Sequence, residues 1–355
     1  MVKKVLICPL DWGLGHAARC VPVVWELQKS GAEVLIASSG NALQFLKQEF
    51  PALSFFELPA YNPEYPVTAS MSLKMMAQLP KFISVVKKEH HLTEKLVSEN
   101  KIDIVISDNR YGCWSSKVKS IFITHQANLL MPSGFEWLDP FINFFGHQYI
   151  ARFREVWIPA EPGNGLTTPF KSKRNLNEKY IGWLSRFKLR SGVEQKYKII
   201  ALVSGPEPQR SIFENLLIKE LKATGLNSLL VEGKPKEPFH KKDGCVEIVH
   251  HLPSLELEEA ILASELAISR SGYSTVMDLI ALGKKAIFVP TSGQTEQEYL
   301  AKELERIKVA SFCKQGEFNL AEALKRSMQF KGFADWNGGS NLLKNAINEL
   351  MQNKS

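Results

Sequence analysis

No stretch of the 355-residue chain runs for ~18 apolar residues, the length a spanning helix needs. Cysteine is sparse. Cys8, Cys20, Cys113, Cys245 and Cys313 stand apart with no CxxC spacing, which argues against a zinc site or a disulfide framework and fits a reducing cytoplasm. The P-loop pattern GxxxxGK[ST] is absent. So is any Asp-x-Asp pair. His90 and His91 are adjacent, so on a helix they face different sides and do not form a two-histidine metal site. The basic residues are spread along the chain rather than clustered with aromatics, which speaks against a nucleic-acid partner. The start, MVKKVLICPLDWG, holds only Val5–Leu10 between its lysines and Asp11, too short for a secretory apolar region, and it reads as a first strand.

What is present is the composition of a folded protein, 45% hydrophobic and 23% charged, with more residues than one core usually serves. Two domains are expected, at 1–180 and 181–339, with a helix over 340–355 packing back on the first. The formal net charge of +7 permits an anionic partner, either nucleotide phosphates or an acidic membrane surface.

The pattern is α/β. Lys3–Leu10 is a continuous apolar strand, as in a parallel sheet covered on both faces. The loop Asp11–His16 and an amphipathic helix, Ala17–Lys29, follow it. Gly13 and Gly15 let backbone approach a ligand, and a helix N-terminus there favours an anion. Further strands are read at Ala32–Ser38, Leu53–Leu58, Ile102–Ser107 and Val118–Thr124, with helices at Asn41–Phe50 and Leu73–Asn100 and a loop at Ala60–Ser70. Asp108 and His125 follow the last two strands, on the same rim as His16. Leu129–Ile158 reads as a core helix hairpin or as an exposed apolar patch edged by Arg152 and Arg154. Pro159–Lys179 is a loop near the linker, and Tyr180–Phe187 a strand crossing between domains.

The second half repeats the first in kind. Strand Lys198–Val203, loop Ser204–Ser211 (with Gly205 and Arg210) and helix Ile212–Ala223 are followed by strand Asn227–Glu232 and a solvated Gly233–Lys242. Then come strand Val246–Val249 and helix Ser254–Ala263. Leu266–Ala301 is the most polar-rich stretch at strand ends. Strands Leu266–Ser269 and Ala286–Val289 feed the loops Ser271–Ser274 and Thr291–Glu298, which offer hydroxyl, amide and carboxylate groups. A nucleotide or a sugar is held that way at the carboxyl ends of parallel strands. Strand Val309–Phe312 and helices Leu320–Met328 and Asn341–Met351 close the chain. Two such units imply two Rossmann-like domains with parallel sheets facing an interdomain cleft.

Three motifs carry a family resemblance: GLGHAAR at Gly13–Arg19, SGPEPQR at Ser204–Arg210, and SRSGYSTVMDLIALGKKAIFVPTSGQTEQEYLA at Ser269–Ala301. The chain resembles the GT-B glycosyltransferases, and within them family 28, the MurG-type enzymes. The resemblance implies a metal-independent enzyme with no cofactor beyond its co-substrate, a nucleoside-diphosphate sugar, expected to be a UDP-sugar. It gives Ser271, Gly272, Ser274 and Thr275 to the diphosphate, Asp278 to the ribose hydroxyls, and Gln294, Gln297 and Glu298 to the donor sugar. It also sets Arg210 against the diphosphate. Glu298 stands where the family commonly has glutamine, which changes the hydrogen bonds on offer. Thr275-x-x-Asp278 also fits a capping box. His16 is the first candidate base, then Asp108 and His125. The implied acceptor is a hydroxyl, on a lipid-linked or glycan substrate, with the enzyme cytoplasmic and peripheral at an anionic membrane surface. A nucleotide-sugar hydrolase or epimerase, and a non-catalytic binding subunit, stay open as readings of the same scaffold.

Overall fold

Alternating apolar strands and amphipathic helices of this kind bury both faces of a parallel sheet, and the computed structural model contains two such sheets. It describes residues 2–63, 77–126, 137, 139–163, 166, 176–205, 207–234, 239–336 and 341–352. Parts of several expected segments lie outside them: the loop beyond residue 63, the helix start at 73–76, residues 127–136 of the aromatic segment, most of 164–175, residues 235–238, and Gly338 with Gly339. The chain divides into two units, Met1–Leu184 with Gly339–Ser355, and Ser185–Gly338.

The first unit holds seven strands: β1 Lys4–Pro9, β2 Glu33–Ser38, β3 Ser54–Glu57, β4 Ile104–Asp108, β5 Lys119–Ile123, β6 Glu155–Ile158 and β7 Glu178–Tyr180. They lie in the order β3-β2-β1-β4-β5-β6-β7, all parallel. Helices α1 (Leu14–Lys29), α2 (Gly40–Glu49), α3 (Leu79–Asn100) and α4 (Asp139–Ile150) belong to this unit. Val5, Leu6, Ile7 and Cys8 of β1 are wholly buried, and each such side chain is worth about 2 kcal/mol of transfer free energy.

The second unit has β8 Tyr197–Leu202, β9 Ser228–Val231, β10 His240–Asp243, β11 Val246–Val249, β12 Ser264–Ser269, β13 Lys285–Phe288 and β14 Ser311–Phe312. Its order is β10-β11-β9-β8-β12-β13-β14. Only β10, at the edge, runs antiparallel to its neighbour. Helices α5 (Gln209–Thr224), α6 (Ser254–Leu262), α7 (Tyr273–Ala281), α8 (Thr295–Arg306) and α9 (Leu320–Ser327) belong here, and α10 (Leu342–Gln352) returns to the first unit. There Lys3 Nζ donates to Leu350 O at 3.2 Å.

Three expectations change. The aromatic segment is not a helix hairpin: α4 leads into strand β6, because Val156, Trp157 and Ile158 fill the sheet interior. Tyr180–Phe187 is not a strand between domains. The strand ends at Tyr180; Ile181 N and Gly182 N still donate to Ile158 O and Ala160 O, and further on Ser185 Oγ donates to Asp278 Oδ1. Gly233–Lys242, read as solvated, also supplies an element that the reading did not place: His240–Asp243 pairs with β11 as an exposed edge strand.

Both sheets reverse their winding once. β1 pairs with β2 on one side and β4 on the other. β8 pairs with β9 and β12 in the same way. At such a switch point the following loops part to opposite faces and leave a crevice at the strand carboxyl ends.

Candidate active site

In the first unit that crevice is lined by the glycine loop after β1 and by the exit of β4. Gly13 is the N-cap of α1 with φ of +82°, a backbone that a side chain would strain. With the helix starting at Leu14, Gly15 and His16 are its second and third residues. Pro9 is registered with Asp108, so the first turn of α1 faces the end of β4. Asn109, with φ of +55°, turns the chain away there, and His125 follows β5, the neighbour of β4.

His16, Asp108 and His125 therefore meet, and the residue that joins them is Arg19, which the sequence reading passed over. It lies one turn from His16 and is 2% exposed. Its Nε donates to Asp108 Oδ2 at 2.5 Å and a terminal nitrogen donates to Oδ1. Its other terminal nitrogen lies 2.7 Å from His125 Nδ1. A guanidinium has no acceptor, so that imidazole nitrogen accepts. Asp108 Oδ1 is 2.9 Å from His16 Nδ1. The Cys20 thiol also reaches Asp108, at 3.6 Å. Burial alone would raise the Asp108 pKa, but Arg19 and His16 hold it well below the usual carboxylate range. His16 is lowered, first by burial and then by the Arg19 charge, against the opposing pull of Asp108. At neutral pH its imidazole is uncharged. Nδ1 also lies 2.9 Å from a terminal nitrogen of Arg19, which can only donate; with Nδ1–H assigned toward the carboxylate rather than Nδ1 accepting from Arg19, Nε2 keeps its lone pair. Nε2 has no hydrogen-bond partner among the described residues, and the side chain retains 16% of its surface. The arrangement can accept a proton at Nε2.

A second buried cluster fixes the glycine loop from behind. Arg110 is fully buried and pairs with Glu89. It also donates to Pro9 O at 2.9 Å, Pro59 O at 3.1 Å and Ser39 Oγ at 2.7 Å. Ser39 Oγ donates to Asp11 Oδ2 at 2.9 Å, and Tyr61 OH to Glu89 Oε2 at 2.8 Å. Gly112 packs against this cluster: a Cβ there would fall 2.2 Å from Val86 O.

In the second unit the crevice lies where the loop after β8 meets the loop after β12. Gly205, with φ of +106°, turns the first loop. Helix α5 begins at Gln209, three residues earlier than read from sequence, so Arg210 stands in its first turn. Arg210 is held by Glu207 and Glu214 and donates to Glu232 O at 3.3 Å. Helix α7 begins at Tyr273 with Gly272 as N-cap. No side-chain oxygen caps it, and the capping box Thr275–Asp278 does not form because both residues lie inside the helix. Ser274 and Thr275 occupy the first turn, where the helix dipole is positive. Ser271 is buried, and its Oγ donates to Gln297 O at 2.7 Å. The Gln297 Oε1 accepts from Thr291 N at 2.8 Å. Glu298 Oε1 accepts from Gly293 N at 3.0 Å, and Gln294 N donates to Thr291 O at 3.0 Å. These side chains brace the loop before α8. Asp278 lies beyond that first turn, half-buried, with Oδ1 accepting from Ser185 Oγ at 2.6 Å. Burial pushes its pKa up to about 6.

Arg270 is the residue missed here. It is 1% exposed, directly before Ser271, and makes no ion pair among the described residues. Its nitrogens donate to Val289 O (2.8 Å), Pro290 O (3.1 Å), Gln209 O (3.2 Å) and Gln315 Oε1 (2.5 Å). Its guanidinium carbon lies 3.9 Å from the Phe213 ring centroid. Burial lowers its pKa to about 10, so it stays charged at neutral pH. One uncompensated cation thus ties together the loops after β8, β12 and β13. The sequence signal was an arginine between an apolar strand and a Ser-Gly turn, where a solvated residue is the ordinary expectation. Among the described residues no group of three or more His, Cys, Asp or Glu side chains is placed to hold a metal ion.

Two seven-stranded Rossmann-like sheets, each with a polar crevice at its switch point, are the architecture of the GT-B glycosyltransferases. The solved glycosyltransferase of kitacinnamycin superposes with a TM-score of 0.68 at 13% identity, covering 99% of each chain. Residues 200–350 match the glycosyltransferase family 28 C-terminal domain, so the second half carries a domain of that family on a chain with the glycosyltransferase fold. An uncharacterised glycosyltransferase of Methanosarcina acetivorans is 26% identical over 329 residues, 83% of this chain and 81% of the relative. The UDP-N-acetylglucosamine--N-acetylmuramyl-(pentapeptide) pyrophosphoryl-undecaprenol N-acetylglucosamine transferase of Haemophilus ducreyi is 24% identical over 343 residues, 93% of this chain and 90% of the relative.

Proposed function

We propose that the protein transfers a hexose or N-acetylhexosamine from a UDP-sugar to a hydroxyl of a lipid-linked acceptor. The observation that carries the reading is the open Nε2 of His16, backed by Asp108 and Arg19 at a sheet switch point. Nε2 takes the proton of the acceptor hydroxyl as its oxygen bonds the anomeric carbon. The bond from that carbon to the diphosphate oxygen breaks, and the nucleoside diphosphate leaves with the electron pair. Asp108 holds the imidazole and stabilises the imidazolium that forms, the role a buried carboxylate plays behind a catalytic histidine.

The charge developing on the leaving diphosphate is met by the first turn of α7 and by the buried Arg270 cation. Arg210 joins them by exchanging a glutamate partner for the donor. Gly13, Gly15 and Gly205 keep backbone open at the two crevices. Gln294, Gln297 and Glu298 shape the sugar end, and Asp278 reaches the ribose by leaving Ser185. No cofactor beyond the donor is required by this scheme. The names of the bacterial relatives support a UDP donor and a lipid-linked acceptor. No described helix is long and apolar enough to cross a membrane. The exposed Trp137, Phe144, Leu79 and Ile83 of the first unit support docking of a cytoplasmic enzyme on an anionic membrane surface.

A thermal-shift screen of nucleotide sugars tests the donor. Binding at a hundredfold excess over Kd stabilises by about 2.7 kcal/mol. A response to UDP-sugars and none to GDP- or CMP-sugars is expected; the reverse pattern removes the UDP assignment. His16→Ala should lower kcat by about 10²–10⁴-fold with UDP affinity unchanged, and normal turnover would eliminate His16 as the base.

A further inference from the structure

Helix α8 starts at the donor loop and ends at Arg306, about 16 Å away along its axis at 1.5 Å per residue. Beside that far end is a cavity of about 380 Å³ that none of the chemistry above uses. Lys302 and Arg306, one turn apart, share a helix face. Lys308 follows in the left-handed region, with φ of +60°, a conformation that a side chain disfavours. Backbone bonds hold it there: Lys308 N donates to Glu305 O at 3.0 Å, and Lys331 N donates to Lys308 O at 3.2 Å. Arg326, near the end of α9, closes the opposite wall. Phe330, 5% exposed, forms an apolar floor with the Lys308 ammonium 5.5 Å from its centroid.

Four cations line this space, and two are already neutralised. Arg306 pairs with Glu303 through two bonds of 2.9 and 2.6 Å, and Arg326 pairs with Glu305. Lys302 and Lys308 have no carboxylate partner among the described residues. The concavity, whose lining also includes Glu305 and Gln329, therefore presents two exposed ammonium groups without a carboxylate partner, Lys302 on the helix end and Lys308 on the backbone-held turn. A group bearing two negative charges and several acceptor oxygens matches it, and a phosphate monoester is such a group at neutral pH.

We infer that this cavity is an anion site for a phosphate monoester, separate from the donor crevice of the same unit. Two sources present that chemistry, a phosphatidate-type lipid headgroup and a free phosphate compound. The inference stands apart from the glycosyl-transfer reading, since no residue of the cavity belongs to the proposed donor or acceptor machinery.

The test uses the full chain with UDP present at saturating concentration and compares wild type with the double variant Lys302→Gln/Lys308→Gln. Inorganic phosphate is titrated calorimetrically, and binding to phosphatidylcholine vesicles with and without phosphatidate is measured by sedimentation. Wild type should bind phosphate with an affinity that falls as salt rises. The double variant should bind about tenfold more weakly at unchanged melting temperature and turnover. Phosphate binding without vesicle binding assigns a soluble ligand. Phosphatidate-dependent sedimentation, lost in the double variant, assigns a lipid headgroup. Phosphate and phosphatidate binding that are absent from wild type, or undiminished in the double variant, overturn the inference.

Discussion

Asp108→Asn is the sharpest perturbation of the first unit. The carboxylate is fully buried and accepts from Arg19 twice, from His16 and from the Cys20 thiol. An asparagine of the same shape takes the Asp108 charge away from the buried Arg19 cation. Removing one member of a buried pair costs about 3–5 kcal/mol, a large part of a typical folding stability. The amide can also donate toward Nδ1 of His16, which favours the wrong tautomer, so kcat should fall by about 10²–10⁴-fold. The sign of the pH dependence is fixed. Asp108 is depressed in the folded state, so its contribution is present above the unfolded carboxylate pKa of ~3.9 and fades as pH falls toward the folded value. Urea melts of wild type and variant between pH 4 and 8 should differ by a constant gap that narrows only at the acid end. A gap under about 1 kcal/mol at pH 7 would refute the view that Asp108 neutralises a buried cation. Unchanged kcat would separately refute its role behind His16.

Other tests follow from the same geometry. Arg270→Gln should weaken nucleoside diphosphate binding by at least about tenfold and leave uridine binding unchanged; equal loss for both ligands would mean a purely structural role. Asp278 moves from an ordinary 3.8 to about 6, so its contribution is greatest below the unfolded pKa and is lost as pH rises through about 6. Asp278→Asn should therefore gain on wild type between pH 4 and 7, by at most roughly 3 kcal/mol, in melts across that range. A pH-independent difference would sink the argument. Gly112→Ala should lower the urea midpoint by an amount equivalent to about 1–3 kcal/mol, since Val86 O is backbone and cannot swing aside.

Strand and helix order was largely readable because apolar runs between glycine-rich loops are dictated by burial. Lys4–Pro9 and Ser264–Ser269 fall within about two residues of where the pattern puts them. The strand at Glu155–Ile158 was lost inside an aromatic stretch whose hydrophobicity suits a helix equally well, and periodicity over four residues cannot separate the two. The rim of His16, Asp108 and His125 was readable from strand ends. The two arginines that organise the crevices were not. Composition treats Arg19 and Arg270 as surface residues, and only the three-dimensional contacts show them enclosed. Asp278 stood out as an acidic residue near a Ser-Gly turn, but its bond to Ser185 joins residues 93 apart in sequence, which no local pattern can announce.

The return of α10 to the first unit makes that unit discontinuous, while the second is one uninterrupted segment, Ser185–Gly338. During synthesis the second unit is complete while the first still lacks its closing helix. A ribosome stalled after Gly338 would carry a finished second unit and an unfinished first one. Loss of the last turns of α10 removes the Lys3 and Lys179 contacts to Leu350 and Glu349, so a small lesion near residue 350 acts on the sheet that begins at residue 4.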